Sequence, residues 1–598
     1  MKFKELAHFI EQIEKTKSRL TITHFLSNLY KKLNAEEIKK TSYLLQGRVA
    51  PLFEKVEFSM AEKLIIKTVA SALSIEKKLF ETKYKKIGDL GLTVEFFKNE
   101  IKLFDEKDLS ISEVFDSLLA LAKANGIGSQ EKKIQILAGL IRQLDPLSTH
   151  YLVRIPTGVL RLGFSDMTVL DAFSWMIKGD KSLRPIIEKA YHVRPDIGFI
   201  GKTLKEKGIE GLRSIRPKVF TPIIMMRAER LSSGEEIIEK IGTCAIQQKF
   251  DGFRLQINYV KKHNEVRLYS RNLEEVSEMY PDLIEGVKKE ITADEIIFEG
   301  EAIGFDPTTG NFLPFQETVQ RKRKYDITEK AKEIPLKLFA FELLFRNDID
   351  YIDIPYNERR IALEESIIET GKKVENTILI APEKYIGNEK DIEIEFQDAI
   401  SKGLEGIVAK KLNGIYQSGA RGWNWIKFKR SYSSKIEDTI DCLVMGYDYG
   451  KGKRTSFGIG AFLVGIFEEK KELFLTIAKI GTGLTDEEWR QLKVKSEKLK
   501  TTNKPNNYIV DKAMDCDVWI HPSMVVEIRA DEISRSPVHT AGRTMKESKS
   551  GKAQELDIPG FALRFPRLER FRDDKKPNDA TSLNELETMF EKQGKKSH

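Results

Sequence analysis

Apolar residues recur every three or four positions from the N-terminus to about Phe220, as in FKELAHFIEQIEKTKSRL (3–20) and MAEKLIIKTVASALSIEKKLF (60–80), with few breakers between them. That period lines one face of an α-helix, so the stretch predicts an all-helical domain. Glycines mark short loops within it, at Gly126-Ile127-Gly128 and along Thr157–Gly163. At Arg216-Pro217 and Thr221-Pro222 the pattern stops. A residue before proline is pushed out of the helical region, which predicts an extended linker and a boundary near residue 220.

From there to about Tyr432 the pattern changes to short β-like runs separated by turns and helices: CAIQQKF, FRLQINYV, EVRLYS, EIIFEGEAIGF, PLKLFAFELLF, EGIVAKKL and WNWIKFK. An α+β domain with a substantial antiparallel sheet is expected. Beyond Asp438 strands dominate again, in TIDCLVMGYDYG, AFLVGIFEE, LFLTIAKIG and SMVVEIRADEI, a pattern suited to a small β-barrel such as an OB-fold. The last helix is expected in SLNELETMFEKQ, with Ser582 as N-cap and Glu585 three residues on. Three domains follow: 1–220 helical, 221–432 α+β, and 433–598 barrel plus C-terminal helix. Internal repeats and low-complexity tracts are not apparent.

Composition narrows the class. With 598 residues, 41% hydrophobic and 32% charged, the chain can bury several cores and is too apolar for a disordered or fibrous protein. No apolar run reaches the length of a membrane span, and the start lacks a signal peptide's apolar core, so a cytoplasmic protein is expected. Cys244, Cys442 and Cys516 stand far apart without metal-binding spacing. Residues 1–220 hold 38 Lys and Arg against 27 Asp and Glu, while the rest hold 61 against 64. The basic excess therefore lies in the helical domain, and a polyanion is its natural partner, though a lysine-rich helical surface fits the same count.

The candidate chemistry lies in the central domain. Lys249-Phe250-Asp251-Gly252-Phe253-Arg254 follows a β-like run, and a lysine there could act as a nucleophile in a cationic pocket. Alone the motif also fits a surface turn. In order after it come Ser270-Arg271-Asn272, Glu301 in FEGEAIGF, Phe341 in LFAFELLF, Glu405 in LEGIVAK, and Lys427 and Lys429 in WNWIKFK. Singly, these could be strand-edge carboxylates, a core aromatic and solvated lysines; their order is what carries weight. The residue types suit attack on an α-phosphate. Lysine supplies the nucleophile, Arg254, Arg271, Lys427 and Lys429 the donors for developing charge, Glu301 and Glu405 oxygen ligands for Mg²⁺, and Phe341 a flat face for a base.

The series resembles that of the covalent nucleotidyltransferases, which comprise ATP-dependent polynucleotide ligases and messenger-RNA capping enzymes. Arg572-Asp573-Asp574-Lys575 resembles the terminal R-x-D-K motif of DNA ligases, and Ser536–Gly542 a stretch of their OB-fold domain. LLQGRVAP (44–51) and LRLGFSDMTVLDAF (160–173) resemble the helical DNA-binding domain of archaeal and eukaryotic replicative ligases. The resemblance spans the chain as DNA-binding, adenylation and OB-fold domains. It implies an ATP-dependent DNA ligase of replication, repair and recombination, sealing 5′-phosphate/3′-hydroxyl nicks through AMP carried on Lys249. Nucleotide contacts fall on Gln247, Arg254, Arg271, Glu301, Phe341, Arg421, Lys427 and Lys429, with Arg572 and Lys575 facing the triphosphate. Metal ligands fall on Glu301 and Glu405, for Mg²⁺ or Mn²⁺.

Three positions depart from the family pattern: Gln247 and Phe253 stand where acidic residues are common, and Glu342 where aspartate is usual. The resemblance further implies nicked duplex DNA as partner, a nucleoid-associated monomer, and a barrel domain that turns about a segment near Arg430–Ser434. A sliding clamp is a further partner to consider, although no Q-x-x-hydrophobic-x-x-aromatic-aromatic box is present; Ile101-Lys102-Leu103-Phe104 is the nearest stretch. An RNA ligase or capping-type guanylyltransferase fits the central motifs but not the flanking domains. A DNA-binding scaffold with a degenerate catalytic domain, and an NAD-dependent ligase, fit less well.

Overall fold

The structure is a computed structural model that describes residues 1–598 except 102–105, 159, 161, 307–311, 314, 324, 369–375, 403, 430–438, 451–457, 482–483, 548–553 and 593–598. The expected pivot near 430–434 and most of the 101–104 stretch lie outside the described residues. Helices run from Phe3–Glu14 to Ile197–Arg213 before the first strand, β1 (Arg227–Arg230). Their starts follow local chemistry. Ser110 caps Ile111–Lys123 by accepting from Glu113 N, and its own backbone N donates back to the Glu113 carboxylate; Asp145 caps a helix that opens on Pro146. The apolar faces close on one core that includes Phe3, Leu26, Tyr30, Phe80, Leu118 and Phe173.

Two sheets follow. One has the order β4 (Glu265–Ser270), β3 (Phe253–Val260), β5 (Glu295–Gly304), β6 (Leu336–Arg346), β7 (Ile349–Asp350), with β8 (Ile378–Ile380) parallel to β6. The other runs β1, β11 (Arg421–Lys429), β10 (Gly406–Lys411), β2 (Cys244–Lys249), β9 (Glu383–Ile386). The central runs that read as strands in the sequence fall on β2 to β6, β10 and β11. Between helices and sheets, the linker is fastened to β3. Phe220 N donates to Asn258 Oδ1 (2.9 Å), Ile223 N to Gln256 Oε1 (2.7 Å), and Gln256 Nε2 returns to Ile223 O (3.0 Å).

The chain divides into two compact units, Met1–Glu393 with Val408–Lys427, and Ile394–Ile407 with Phe428–His598. In the second, β12 (Ile440–Asp448), β13 (Ala461–Glu468) and β14 (Leu473–Ile480) form a meander in a larger sheet. A later strand, Val525–Arg529, pairs with both β12 and Arg567–Phe571. The last helix, Leu583–Lys592, starts on the expected cap: Ser582 N and Oγ donate to Glu585, and Glu585 N donates back to Ser582 Oγ (3.3 Å).

Candidate active site

Lys249 is the last residue of β2, and the alternation of a strand places its side chain on the same face as that of Gln247. The turn after it requires glycine. A Cβ on Gly252 would lie 2.3 Å from Ala302 O, so only a residue without one lets β3 start this close to β5.

Gln247 is buried and its amide is oriented by its neighbours. Nε2 donates to Tyr356 Oη (2.8 Å) and Glu383 Oε2 (2.9 Å), and Tyr356 Oη donates to Glu383 (2.5 Å). An ionised carboxylate only accepts, so the NH₂ must face Glu383 and the carbonyl oxygen must face away. Burial together with the Glu383 charge raises the Tyr356 pKa well above its ordinary value.

Phe341 is half-buried and lies in a cluster of rings and cations. Trp425 meets its edge at 6.0 Å between centroids; Arg254 Cζ lies 5.4 Å and Lys410 Nζ 5.0 Å from its ring. Lys410 is almost wholly buried, donates to Phe341 O (2.6 Å), and sits 4.7 Å from the Tyr356 ring. Burial pulls its pKa down to about 7, against the opposing pull of Glu342 and Glu383. Contacts thus run without a break from Gln247 through Tyr356 and Lys410 to Phe341.

Arg254, expected to contact nucleotide, also bonds protein: Nη1 donates to Met226 O (2.7 Å) and Nη2 to Glu299 (2.6 Å). Burial disfavours its charge, but Glu299 more than compensates and holds its pKa above the ordinary value. Glu301 lies directly across from Arg254 in the β3–β5 register. Arg271 is exposed in the loop after β4. Arg421 and Lys427 lie opposite Arg227 and Arg230 in the parallel β1–β11 ladder, which concentrates positive charge on that edge.

Glu405 and Lys429 form an ion pair at 2.6 Å, with Arg564 at 3.7 Å from the same carboxylate. Gly406, next to Glu405, has φ +139 and sits where a Cβ would lie 2.1 Å from Phe428 O. Arg572 and Lys575 are both tied within the second unit, to Asp441 at 3.1 Å and 2.6 Å, and Arg572 also to Asp574 at 2.8 Å. The bond from Arg572 holds the Asp574 carboxyl below the usual carboxylate range.

Sequence reasoning missed Lys410, Tyr356, Glu383 and Glu299. Lys410 had a signal, a cation inside the apolar run EGIVAKKL; Glu299 had one of the same kind in EIIFEGEAI. Tyr356 and Glu383 had none.

Three family models match consecutive parts of the chain: DNA ligase N terminus over 2–174, ATP dependent DNA ligase domain over 225–429, and ATP dependent DNA ligase C terminal region over 455–575. A lysine-ended strand beside an aromatic platform, matched by the second of these families, places the protein among the nucleotidyltransferases. The probable DNA ligase of Dictyoglomus turgidum is 48% identical over 597 residues, covering 100% of this chain and 98% of that protein. The DNA ligase of Saccharolobus solfataricus is 39% identical, covering 100% and 98%. The solved structure Pmar-Lig_Pre shares the fold at 16% identity and a TM-score of 0.51, covering 95% and 98%. The chain belongs to the ATP-dependent DNA ligase family. Among the described residues no helix is long and apolar enough to cross a membrane.

Proposed function

We propose that this protein, an ATP-dependent DNA ligase, seals 5′-phosphate/3′-hydroxyl nicks in duplex DNA with Lys249 as the residue that carries AMP. The observation that carries the assignment of the site is the unbroken run of contacts from Gln247, on the face of β2 that Lys249 shares, to the Phe341 ring. A base stacked on Phe341 sets the distance between its nucleotide and the strand that ends in Lys249. In the first step Lys249 Nζ attacks the α-phosphorus of ATP; a P–N bond forms and pyrophosphate leaves. In the second, a 5′-phosphate oxygen attacks the same phosphorus and lysine leaves. In the third, the 3′-hydroxyl attacks the 5′-phosphate and AMP leaves. Each step is a displacement at phosphorus served by the same donors, for which Arg271, Arg421, Lys427 and Lys429 are the candidates. Arg254 acts beneath Phe341, and Arg572 and Lys575 serve the triphosphate.

Among the described residues no cluster of three metal-ligating side chains exists. Mg²⁺ keeps waters and takes one or two carboxylates together with substrate phosphates, and Mn²⁺ has the same oxygen preference. Glu301 and Glu405 are the carboxylates to hold it, and its chemistry is neutralisation of phosphate charge. Glu405 would first exchange Lys429 for the ion.

We read the domains as 1–220 for DNA binding, 221–432 for adenylation and 433–598 as an OB-fold domain. The basic excess, the two central sheets and the β12–β14 meander support this division. We expect a nucleoid-associated cytoplasmic monomer with roles in replication, repair and recombination, and a sliding clamp as a partner to test. The deciding experiment incubates the protein and Lys249→Ala with α-labelled ATP and Mg²⁺, chases a native portion of each with nicked DNA, and then denatures all portions for electrophoresis. A stable label on the wild type only, discharged with sealing, supports the proposal. An unlabelled wild type refutes it, and discharge only by RNA ends favours an RNA ligase.

A further inference from the structure

Gln247 and Glu383 stand directly opposite one another in the antiparallel β2–β9 pair. Gln247 is 4% exposed, and its amide nitrogen is doubly engaged, with Tyr356 Oη at 2.8 Å and Glu383 Oε2 at 2.9 Å. Its Oε1 receives no hydrogen bond among the described residues, and it is not sealed from solvent. One acceptor is thus left unmet, and in a buried side chain that costs free energy until a ligand supplies a donor.

Turning the amide over would relieve nothing. Glu383 accepts on one oxygen from Tyr356 Oη (2.5 Å), and Arg360 Nε lies 3.6 Å from the other. Tyr356 is 1% exposed, and burial beside the Glu383 charge keeps its hydroxyl protonated. That single proton goes to Glu383, so the hydroxyl can only accept from Gln247. An inverted Gln247 would set its oxygen against the Glu383 carboxylate, lone pair facing lone pair. Glu383 therefore fixes which end of Gln247 is presented on the face of β2 that Lys249 shares.

We propose that Glu383, acting through Gln247, sets the base this site takes: a purine with an amine at C6 is accepted, and one with an oxygen there is refused. The inference rests on the nucleotide site of the nick-sealing reading, with Phe341 as base platform, and gives a positioning role to a residue outside the ordered motifs. Adenine carries at C6 an amine that donates, whereas guanine, and likewise hypoxanthine, carries an oxygen that accepts. Contacts from Phe341 through Lys410 and Tyr356 to Gln247 bring the edge of a ring stacked on Phe341 toward Oε1. An amine there meets its acceptor. An oxygen meets a second lone pair, so repulsion excludes one base as attraction selects the other.

The test is equilibrium binding of three nucleotides to protein first stripped of AMP with pyrophosphate and then held in EDTA, where no P–N bond forms. They are ATP, purine riboside triphosphate, which lacks a C6 substituent, and ITP, which carries oxygen there. Wild type is expected to bind ATP about 10- to 100-fold more tightly than either of the others, the range for one unmet buried group. In Glu383→Gln the new amide can offer either end, so Gln247 is free to turn. ITP should then gain at least about 10-fold on ATP, while purine riboside triphosphate keeps its wild-type ratio. Tyr356→Phe leaves the Glu383 carboxylate in place and keeps both ratios. Equal wild-type affinity for ATP and purine riboside triphosphate overturns the proposal without any variant. So does a Glu383→Gln protein, shown to be folded by its melting curve, whose ATP-to-ITP ratio is unchanged or in which purine riboside triphosphate gains as much as ITP. A wild type that prefers ATP by these ratios but takes no label from it with Mg²⁺ sinks the nick-sealing reading instead, and supports this assignment of base choice.

Discussion

Glu342 and Arg359 form an ion pair in which neither side chain is exposed to solvent. Arg359 Nε and Nη2 donate to the carboxylate at 2.7 and 3.0 Å, while Nη1 donates to Ile354 O (2.5 Å) and Gly414 O (2.8 Å). Removing one partner from such a pair leaves a buried uncompensated charge and costs about 3–5 kcal/mol. Glu342→Gln removes the charge at almost constant shape, so it isolates this effect from cavity formation. For a region of about 200 residues each kcal/mol moves the melting temperature by about 2–4 °C, which gives a shift of about 6–20 °C. Glu342→Asp keeps the charge but is one methylene shorter, so at least one bond to Arg359 is lost, at about 1–3 kcal/mol. The family's usual aspartate should therefore not be neutral here, because Arg359 is placed for the longer acid. Calorimetry on both variants and on Arg359→Met, closed into a double-mutant cycle, measures the pair. A Glu342→Gln protein that melts within about 2 °C of wild type refutes the reasoning, since a 3 kcal/mol loss cannot be hidden in that interval.

Lys410 titrates at about 7 in the folded protein, against an ordinary lysine value of 10.5 once the chain unfolds. Between those values the unfolded chain holds the extra proton, so stability rises with pH across the window; urea melts at about pH 7 and about pH 9.5 should show a rise in wild type that Lys410→Met lacks. Gly252→Ala places a methyl group 2.3 Å from Ala302 O. It should cost about 1–3 kcal/mol in a melt and slow label uptake from ATP, because the β3 start must move away from β5. Arg572→Ala should lower label uptake from ATP more than sealing of a nick that already carries AMP; equal losses in the two assays would contradict a role at the triphosphate. Ser582→Ala should cost about 1 kcal/mol of local stability, read as faster hydrogen exchange in Leu583–Lys592.

Helices up to Arg213 and the long strands β3, β5 and β6 could be read from periodicity because each buries a continuous apolar face. Lys249 stood out in the sequence because the motifs after it follow in one order. The surroundings of Gln247 were hidden for a different reason. Its partners Tyr356 and Glu383 are 109 and 136 residues away, and Glu383 sits on the four-residue strand β9, whose burial does not alternate. A strand that short has no period to detect, and nothing local to Tyr356 says that its hydroxyl turns inward. Arg254, which the motif marks as a phosphate donor, also bonds a glutamate that the sequence did not mark. Local pattern reports which groups are polar; only the packed sheet decides which of them meet.

Glu299 explains why that arrangement is stable. It is fully buried, yet its two oxygens receive Arg254 Nη2 (2.6 Å), Gln256 Nε2 (3.1 Å) and Tyr416 Oη (3.1 Å). A buried carboxylate with that many donors is satisfied, and each donor is held in turn. Gln256 also holds Ile223 in the linker, Arg254 also holds Met226 O, and Tyr416 Oη accepts from Met226 N (2.8 Å). One carboxylate therefore joins β3, β5, the loop before β11 and the linker from the helical region into a single network beneath Phe341. Glu299→Gln would remove the negative charge that all three donors face. Its consequence should reach past local stability to the seating of the linker, whose Ile223 and Met226 are bonded to the same network. Arg254 steadies this network in turn, because two of its guanidinium nitrogens tie Met226 to Glu299.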